Sequence, residues 1–108
     1  MSYKIAVSER FEREATRLLK KYPSLKKEFN ELYESLMAQP NLGTSIGKGC
    51  YKIRLSVASK GKGKSGGARV ITYVYVAGET VYLLSIFDKS EKENISDKEL
   101  SELLKKIF

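Results

Sequence analysis

An α+β fold in the order βααβββα is what this sequence predicts: a small, curved, mainly antiparallel sheet with an N-terminal helical hairpin packed on it and a short C-terminal helix. Three features carry that expectation. Two amphipathic stretches, separated only by Pro23-Ser24, fill the N-terminal part of the chain. Three strand-like runs follow between Tyr51 and Phe87, and a capping box then opens a final segment with a helical apolar stripe. At 108 residues the chain has the length of one domain rather than two, so residues 1–108 are expected to form a single unit. Its 42% hydrophobic content suffices for one small core.

The elements follow in order. Tyr3, Ile5 and Val7 alternate along a short first strand. Ser8 stands where an N-cap belongs, with Glu9 in the first turn, and Phe11, Ala15, Leu18, Leu19 and Tyr22 recur at helical spacing. After Pro23-Ser24, a second stripe runs through Leu25, Phe29, Leu32, Tyr33, Leu36 and Met37 until Pro40-Asn41-Leu42-Gly43 stops it. Two helices so closely joined form a hairpin whose apolar faces need a sheet to cover, and the helices are expected on one face of that sheet. Tyr51, Ile53, Leu55 and Val57 alternate with Lys52, Arg54 and Ser56. Ala68 to Val76 is rich in β-branched and aromatic residues, Ala77-Gly78-Glu79 reads as a hairpin turn, and Thr80 to Phe87 is nearly continuous in apolar residues, as a central strand would be. Ser96 and Glu99 have the spacing of a capping box ahead of Leu100, Leu103, Leu104 and Ile107.

Charge narrows the function. Lys and Arg total 20 against 13 Asp and Glu, a formal net charge of +7. So basic a small chain suits a polyanionic partner, such as a nucleic acid, an acidic protein or an anionic membrane surface. A single cysteine, Cys50, forms no internal disulfide, and the absence of histidine removes the zinc-type Cys/His patterns. Cys50 reads as a reduced, structural residue. The N-terminus turns charged too early for a signal peptide, and no apolar run approaches the roughly 20 residues that span a bilayer. The expectation is a cytoplasmic protein without membrane contact.

The most conspicuous motif is misleading. Ala58 to Ser65, ASKGKGKS, fits a loose phosphate-loop pattern. Such a loop works because a helix N-terminus follows Lys-Ser at once, whereas here Gly66-Gly67 and a strand follow. Lys60, Lys62 and Lys64 instead suit backbone contacts to RNA that carry no sequence information; the plain alternative is a solvated hairpin tip. Lys52 and Arg54 are two apart on a strand and share a face. Arg69 enters an apolar strand, which suits a bound phosphate or carboxylate; the plain alternative is an edge charge that discourages aggregation. Asp88-Lys89 ends the last strand. Tyr73, Tyr75 and Tyr82 are more in keeping with core packing than with base stacking.

The runs YKIRL at 51–55, GKGKSGGARVITY at 61–73 and YLLSIFDKSE at 82–91 resemble the RelE/HigB toxins of type II toxin–antitoxin modules. Asn41-Leu42-Gly43 is similar to one branch of that family, and the motif likeness covers about residues 40–108. The resemblance implies a metal-independent endoribonuclease that cuts mRNA in the ribosomal A site. In that family the substrate's own 2′-OH attacks the adjacent phosphate while basic side chains stabilise the transition state. By position, Lys52 and Arg54 match a basic pair, Arg69 matches the phosphate-gripping arginine, and Lys89 matches a basic residue after the last strand. Asp88 and Glu91 are polar neighbours suited to proton transfer. One departure stands out: where some members carry a tyrosine or histidine, the matching position here is Ile95. The implied partner is an antitoxin of the helix-turn-helix type, with DNA reached only through it.

Two rival readings belong to other classes. A ParE-like, gyrase-inhibiting toxin would signal DNA damage without RNA cleavage. A non-catalytic nucleic-acid-binding module would bind with steep salt dependence and no toxicity.

Overall fold

The computed structural model describes residues 3–60 and 67–107. Among these the elements are β1 (Lys4–Val7), α1 (Glu9–Lys21), α2 (Leu25–Ala38), β2 (Thr44–Gly47), β3 (Cys50–Leu55), a 3₁₀ turn (Ala58–Lys60), β4 (Ala68–Tyr75), β5 (Thr80–Asp88) and α3 (Asp97–Lys105). The strands form one mixed sheet in the order β1-β5-β4-β3-β2. Only the β1–β5 pairing is parallel, because the α1–α2 hairpin separates β1 from the rest and lets it return to the sheet alongside β5.

The expected α+β class and element order are present, with one additional strand. β2 occupies four residues directly after the Pro40–Gly43 stop and pairs antiparallel with β3. Four residues are too few to show alternation. The approach of β2 to β3 depends on Gly43, which has φ +100, and a Cβ there would lie 2.5 Å from the Lys52 carbonyl oxygen. Left-handed strain and a backbone clash add together at this position. Gly43→Ala is expected to cost about 2–4 kcal/mol in denaturant unfolding; a midpoint equal to that of the parent protein would contradict this account.

Side-chain caps open α1 and α3. The Ser8 hydroxyl accepts from the Phe11 N–H at 3.0 Å and donates to the Leu84 carbonyl at 3.0 Å, so one side chain caps α1 and ties it to β5. Beyond Val7, β1 no longer covers β5. There the Glu14 carboxylate accepts from the Ser85 hydroxyl at 2.7 Å and from the Ile86 N–H at 3.3 Å, so α1 blunts the exposed strand edge.

The sheet is covered on both faces, which corrects the expectation that all the helices share one. Phe11, Ala15 and Leu18 of α1 and Leu25, Phe29, Leu32 and Leu36 of α2 pack on Ile53, Val70, Val81, Leu83 and Ile86. On the opposite face, Leu100 and Leu103 of α3 pack on Cys50, Ile71, Leu84 and Phe87. Amphipathicity shows that a helix buries one side; it does not say which face of a sheet will receive it. Two faces of β5 are apolar, which explains its near-continuous apolar run. The phase of β5 changes midway: Ile71 pairs with Ser85 but Thr72 with Leu83, so Leu84 is a bulge. Val81 and Leu83 face the hairpin before it, and Ile86 faces the hairpin after it. Cys50 is fully buried, and burial pushes its thiol up to about 11, in keeping with an inert structural residue. Among the described residues no helix is long and apolar enough to cross a membrane.

Glu99 fastens α3. The Ser96 hydroxyl accepts from the Glu99 N–H at 3.1 Å and the Glu99 carboxylate reaches back to the Ser96 N–H, which completes the capping box. Lys92 donates to that carboxylate and Arg10 lies 3.6 Å from it. The hydrogen bond from Lys92 is the main reason its carboxyl titrates below the usual glutamate range, with Ser96 and Arg10 adding to the effect. A depressed folded pKa means that the stabilisation is present above the unfolded value, about 4.3, and is lost as pH falls below it. Amides of α3 are therefore expected to exchange faster with solvent at pH 3 than at pH 5, relative to those of β4. Equal ratios at the two pH values would count against the Glu99 linkage.

Candidate nucleic-acid interface

Register brings the two predicted arginines together. β3 and β4 align so that Arg54 lies directly opposite Arg69, and Arg69 in turn lies opposite Phe87 of β5. All three sit on the α3 face of the sheet, because Ile53 and Val70, their chain neighbours, face the hairpin. Directly opposed like charges disfavour a strand pair. Arg69 is only 3% exposed whereas Arg54 is exposed. The Arg69 guanidinium donates to the Ala68 carbonyl at 3.1 Å. Burial, followed by the Arg54 charge, moves its pKa down from the ordinary arginine value. Arg69 thus sits at the floor of a positive face and Arg54 at its rim.

Lys52, two residues from Arg54, extends the same row and donates to Asn94 Oδ1 at 3.4 Å. The Lys89 N–H donates to the Gly67 carbonyl at 3.1 Å, which continues the β4–β5 ladder by one position past Ala68–Asp88. By strand parity Lys89 then follows Phe87 onto the arginine face. Diagonal neighbours in a sheet are roughly 7–8 Å apart, within reach of a lysine and an arginine meeting at one phosphate.

Asp88 points the other way. Its side chain, 1% exposed, accepts from the Tyr22 hydroxyl at 2.7 Å and from the Ser90 N–H and hydroxyl at 2.9 and 2.7 Å. Glu91 pairs with Arg17 of α1, with two guanidinium nitrogens each 3.3 Å from a carboxylate oxygen. Both carboxylates expected beside Lys89 are therefore turned toward α1. Lys62 and Lys64 lie outside the described residues, as does the side chain of Lys60, whose backbone closes the 3₁₀ turn. Tyr73 and Tyr82 stack at 6.2 Å between ring centroids and pack against the α3 core; Tyr75 is exposed. Ile95, at the position of the departure, packs into that same core.

Two participants escaped the sequence reading. Lys92 sets its ammonium 5.5 Å from the centre of the Phe87 ring, next to Arg69 in the sheet, and Asn94 contacts Lys52. The loop between β5 and α3 folds back across the basic row. No local pattern announces this, since the loop's course depends on where α3 docks. Among the described residues no group of three or more His, Cys, Asp or Glu side chains is placed to hold a metal ion. A groove of about 520 Å³ between Val7, Arg10, Tyr82 and Ile107 lies at another corner of the sheet and includes none of the four basic positions.

A family model described as the RelE toxin of the RelE / RelB toxin–antitoxin system matches residues 4–107. The chain is similar to a doubly arginine-substituted E. coli RelE toxin in the free state, at 20% identity and TM-score 0.66 over all of both chains. It is similar to the isolated E. coli RelE toxin at 26% identity and TM-score 0.54, over 99% of this chain and 100% of that one. It is similar to the toxin of the intact E. coli RelBE toxin–antitoxin complex at 26% identity and TM-score 0.53, over 81% of this chain and 96% of that one.

Proposed function

The chain belongs to the RelE toxin family of RelE / RelB toxin–antitoxin systems, and from that premise we propose that it is an endoribonuclease that cuts mRNA in the ribosomal A site. The observation that carries the proposal is the in-register Arg54–Arg69 pair, one buried and one exposed, on the same sheet face. Two positive charges set side by side on one sheet face suit a polyanionic ligand. An RNA backbone supplies it.

The reaction uses the substrate's own nucleophile. The 2′-oxygen forms a bond to the neighbouring phosphorus, the bond from phosphorus to the 5′-oxygen breaks, and a 2′,3′-cyclic phosphate remains. One proton leaves the 2′-OH and one reaches the departing 5′-oxygen. Arg69 and Arg54 bear on the non-bridging oxygens, where charge builds up in the transition state. Lys89 stands on the same face to stabilise or protonate the leaving oxygen. Lys52, with Lys60, Lys62 and Lys64 of the following loop, holds the strand by its phosphates. Asp88 is turned toward Tyr22 and Ser90, so no proton is routed through it here. Without histidine, acid–base assistance is weaker, and such assistance is worth about 10²–10⁴-fold where present.

The partner in this reading is an antitoxin, as RelB is for RelE in the E. coli complex. A +7 chain suits an acidic one electrostatically. The test is to map mRNA 5′ ends after induction in cells. New ends confined to translated frames support the proposal; growth arrest with no new ends removes it.

A further inference from the structure

We infer that Tyr22 is a positioning residue for RNA cleavage, setting Lys89 against Arg69 through Asp88; this rests on the nuclease reading above. Tyr22 is the C-cap residue of α1 and lies 66 residues from Asp88 in the chain. Its ring packs against the hairpin-side core, and its hydroxyl donates to Asp88 Oδ2 at 2.7 Å. The other carboxylate oxygen accepts twice from Ser90, and the Asp88 carbonyl accepts from the Glu91 and Lys92 N–H groups, each at 3.0 Å. The Lys21 ammonium stands 4.0 Å from Oδ2. On its other flank Asp88 is held in the ladder opposite Ala68.

The residue that immediately precedes Lys89 is therefore fixed by three elements: β4, α1 and its own turn. Lys89 leaves the sheet at this anchored point, with its N–H still on Gly67 two residues before Arg69. By strand parity Tyr22 and Lys89 lie on opposite faces, so Tyr22 acts on Lys89 through Asp88 rather than by meeting RNA itself. A charge-assisted hydrogen bond at the sheet's end is a directional constraint, which apolar packing alone does not supply. Displacing a catalytic group by about 1 Å costs on the order of 10²-fold in rate.

The experiment uses the full chain on ribosomes carrying mRNA, with Tyr22→Phe, Lys89→Ala and the double variant. Tyr22→Phe keeps the ring and removes only the hydroxyl. Its kcat is expected to fall about 10-fold to 100-fold with KM within twofold of the parent, since no RNA contact is lost. Because Tyr22 works through Lys89, the double variant is expected to cleave no more slowly than Lys89→Ala alone. Losses that multiply, a loss expressed mainly in KM, or a Tyr22→Phe rate equal to the parent's would each overturn the inference while leaving the nuclease reading in place. No cleavage by the parent protein would remove both.

Discussion

Arg69→Ala is expected to lower mRNA cleavage by about 10²–10³-fold, equivalent to roughly 2.7–4 kcal/mol of lost transition-state stabilisation, and to abolish growth arrest on induction. The expectation follows from placement. Arg69 is the buried member of the opposed pair, so its guanidinium acts where water is scarce and a charge–charge interaction is strong. Arg54, at the exposed rim, shares its field with solvent and is expected to matter less. Folding should survive, because the substitution also relieves the repulsion between the two strands. Arg69→Lys separates charge from shape: lysine keeps the charge but not the planar fork that grips two oxygens at once, and an intermediate rate is expected. Circular dichroism and the unfolding midpoint establish that the variants are folded. An Arg69→Ala protein that still arrests growth at the parent's level would show that the buried arginine does not hold the phosphate.

Phe11→Ala is the substitution expected to harm stability most, by about 3–5 kcal/mol. Phe11 is 1% exposed and meets the Phe29 ring at 5.8 Å between centroids, where α1, α2 and the sheet converge. Domains of this size have total stabilities of about 5–15 kcal/mol, and each kcal/mol moves the midpoint by roughly 4–8 °C. A fall of roughly 15–30 °C in thermal unfolding is the expected reading, and a fall under about 5 °C would mean that the hairpin packs far less tightly than described.

The elements that could be read in the sequence are those with local signals. Ser8 and the Ser96–Glu99 box announced their helices because capping chemistry is confined to four residues. The strands from Cys50 onward were legible from alternation and β-branching. What stayed hidden depends on pairing. β2 has no pattern of its own and exists because Gly43 lets the chain lie against Lys52. The face that α3 covers is settled by which apolar surface the hairpin leaves open. For the site, alternation placed Lys52 and Arg54 on one face, but the opposition of Arg54 and Arg69 required the register across a long connection. Lys92 and Asn94 reach the site by the course of a loop. The orientation of Asp88 was concealed because both faces of β5 are apolar around Leu84, so no pattern shows that the strand changes phase at that bulge.

That change of phase sorts charge. In a strand of unbroken alternation, the parity that sends Leu83 to the hairpin would send Asp88 to the opposite side, among Arg54, Arg69 and Lys52. A carboxylate there would partly neutralise those cations and, in the proposed nuclease, would compete with RNA phosphate for the same guanidinium forks. One inserted residue, Leu84, diverts Asp88 into the protein's interior and leaves its lysine neighbour outside. How strongly this face attracts a polyanion therefore depends on the parity of residue count along one strand: a single-residue deletion near position 84 would put Asp88 on the face in place of Lys89 and weaken its positive charge without altering any charged residue.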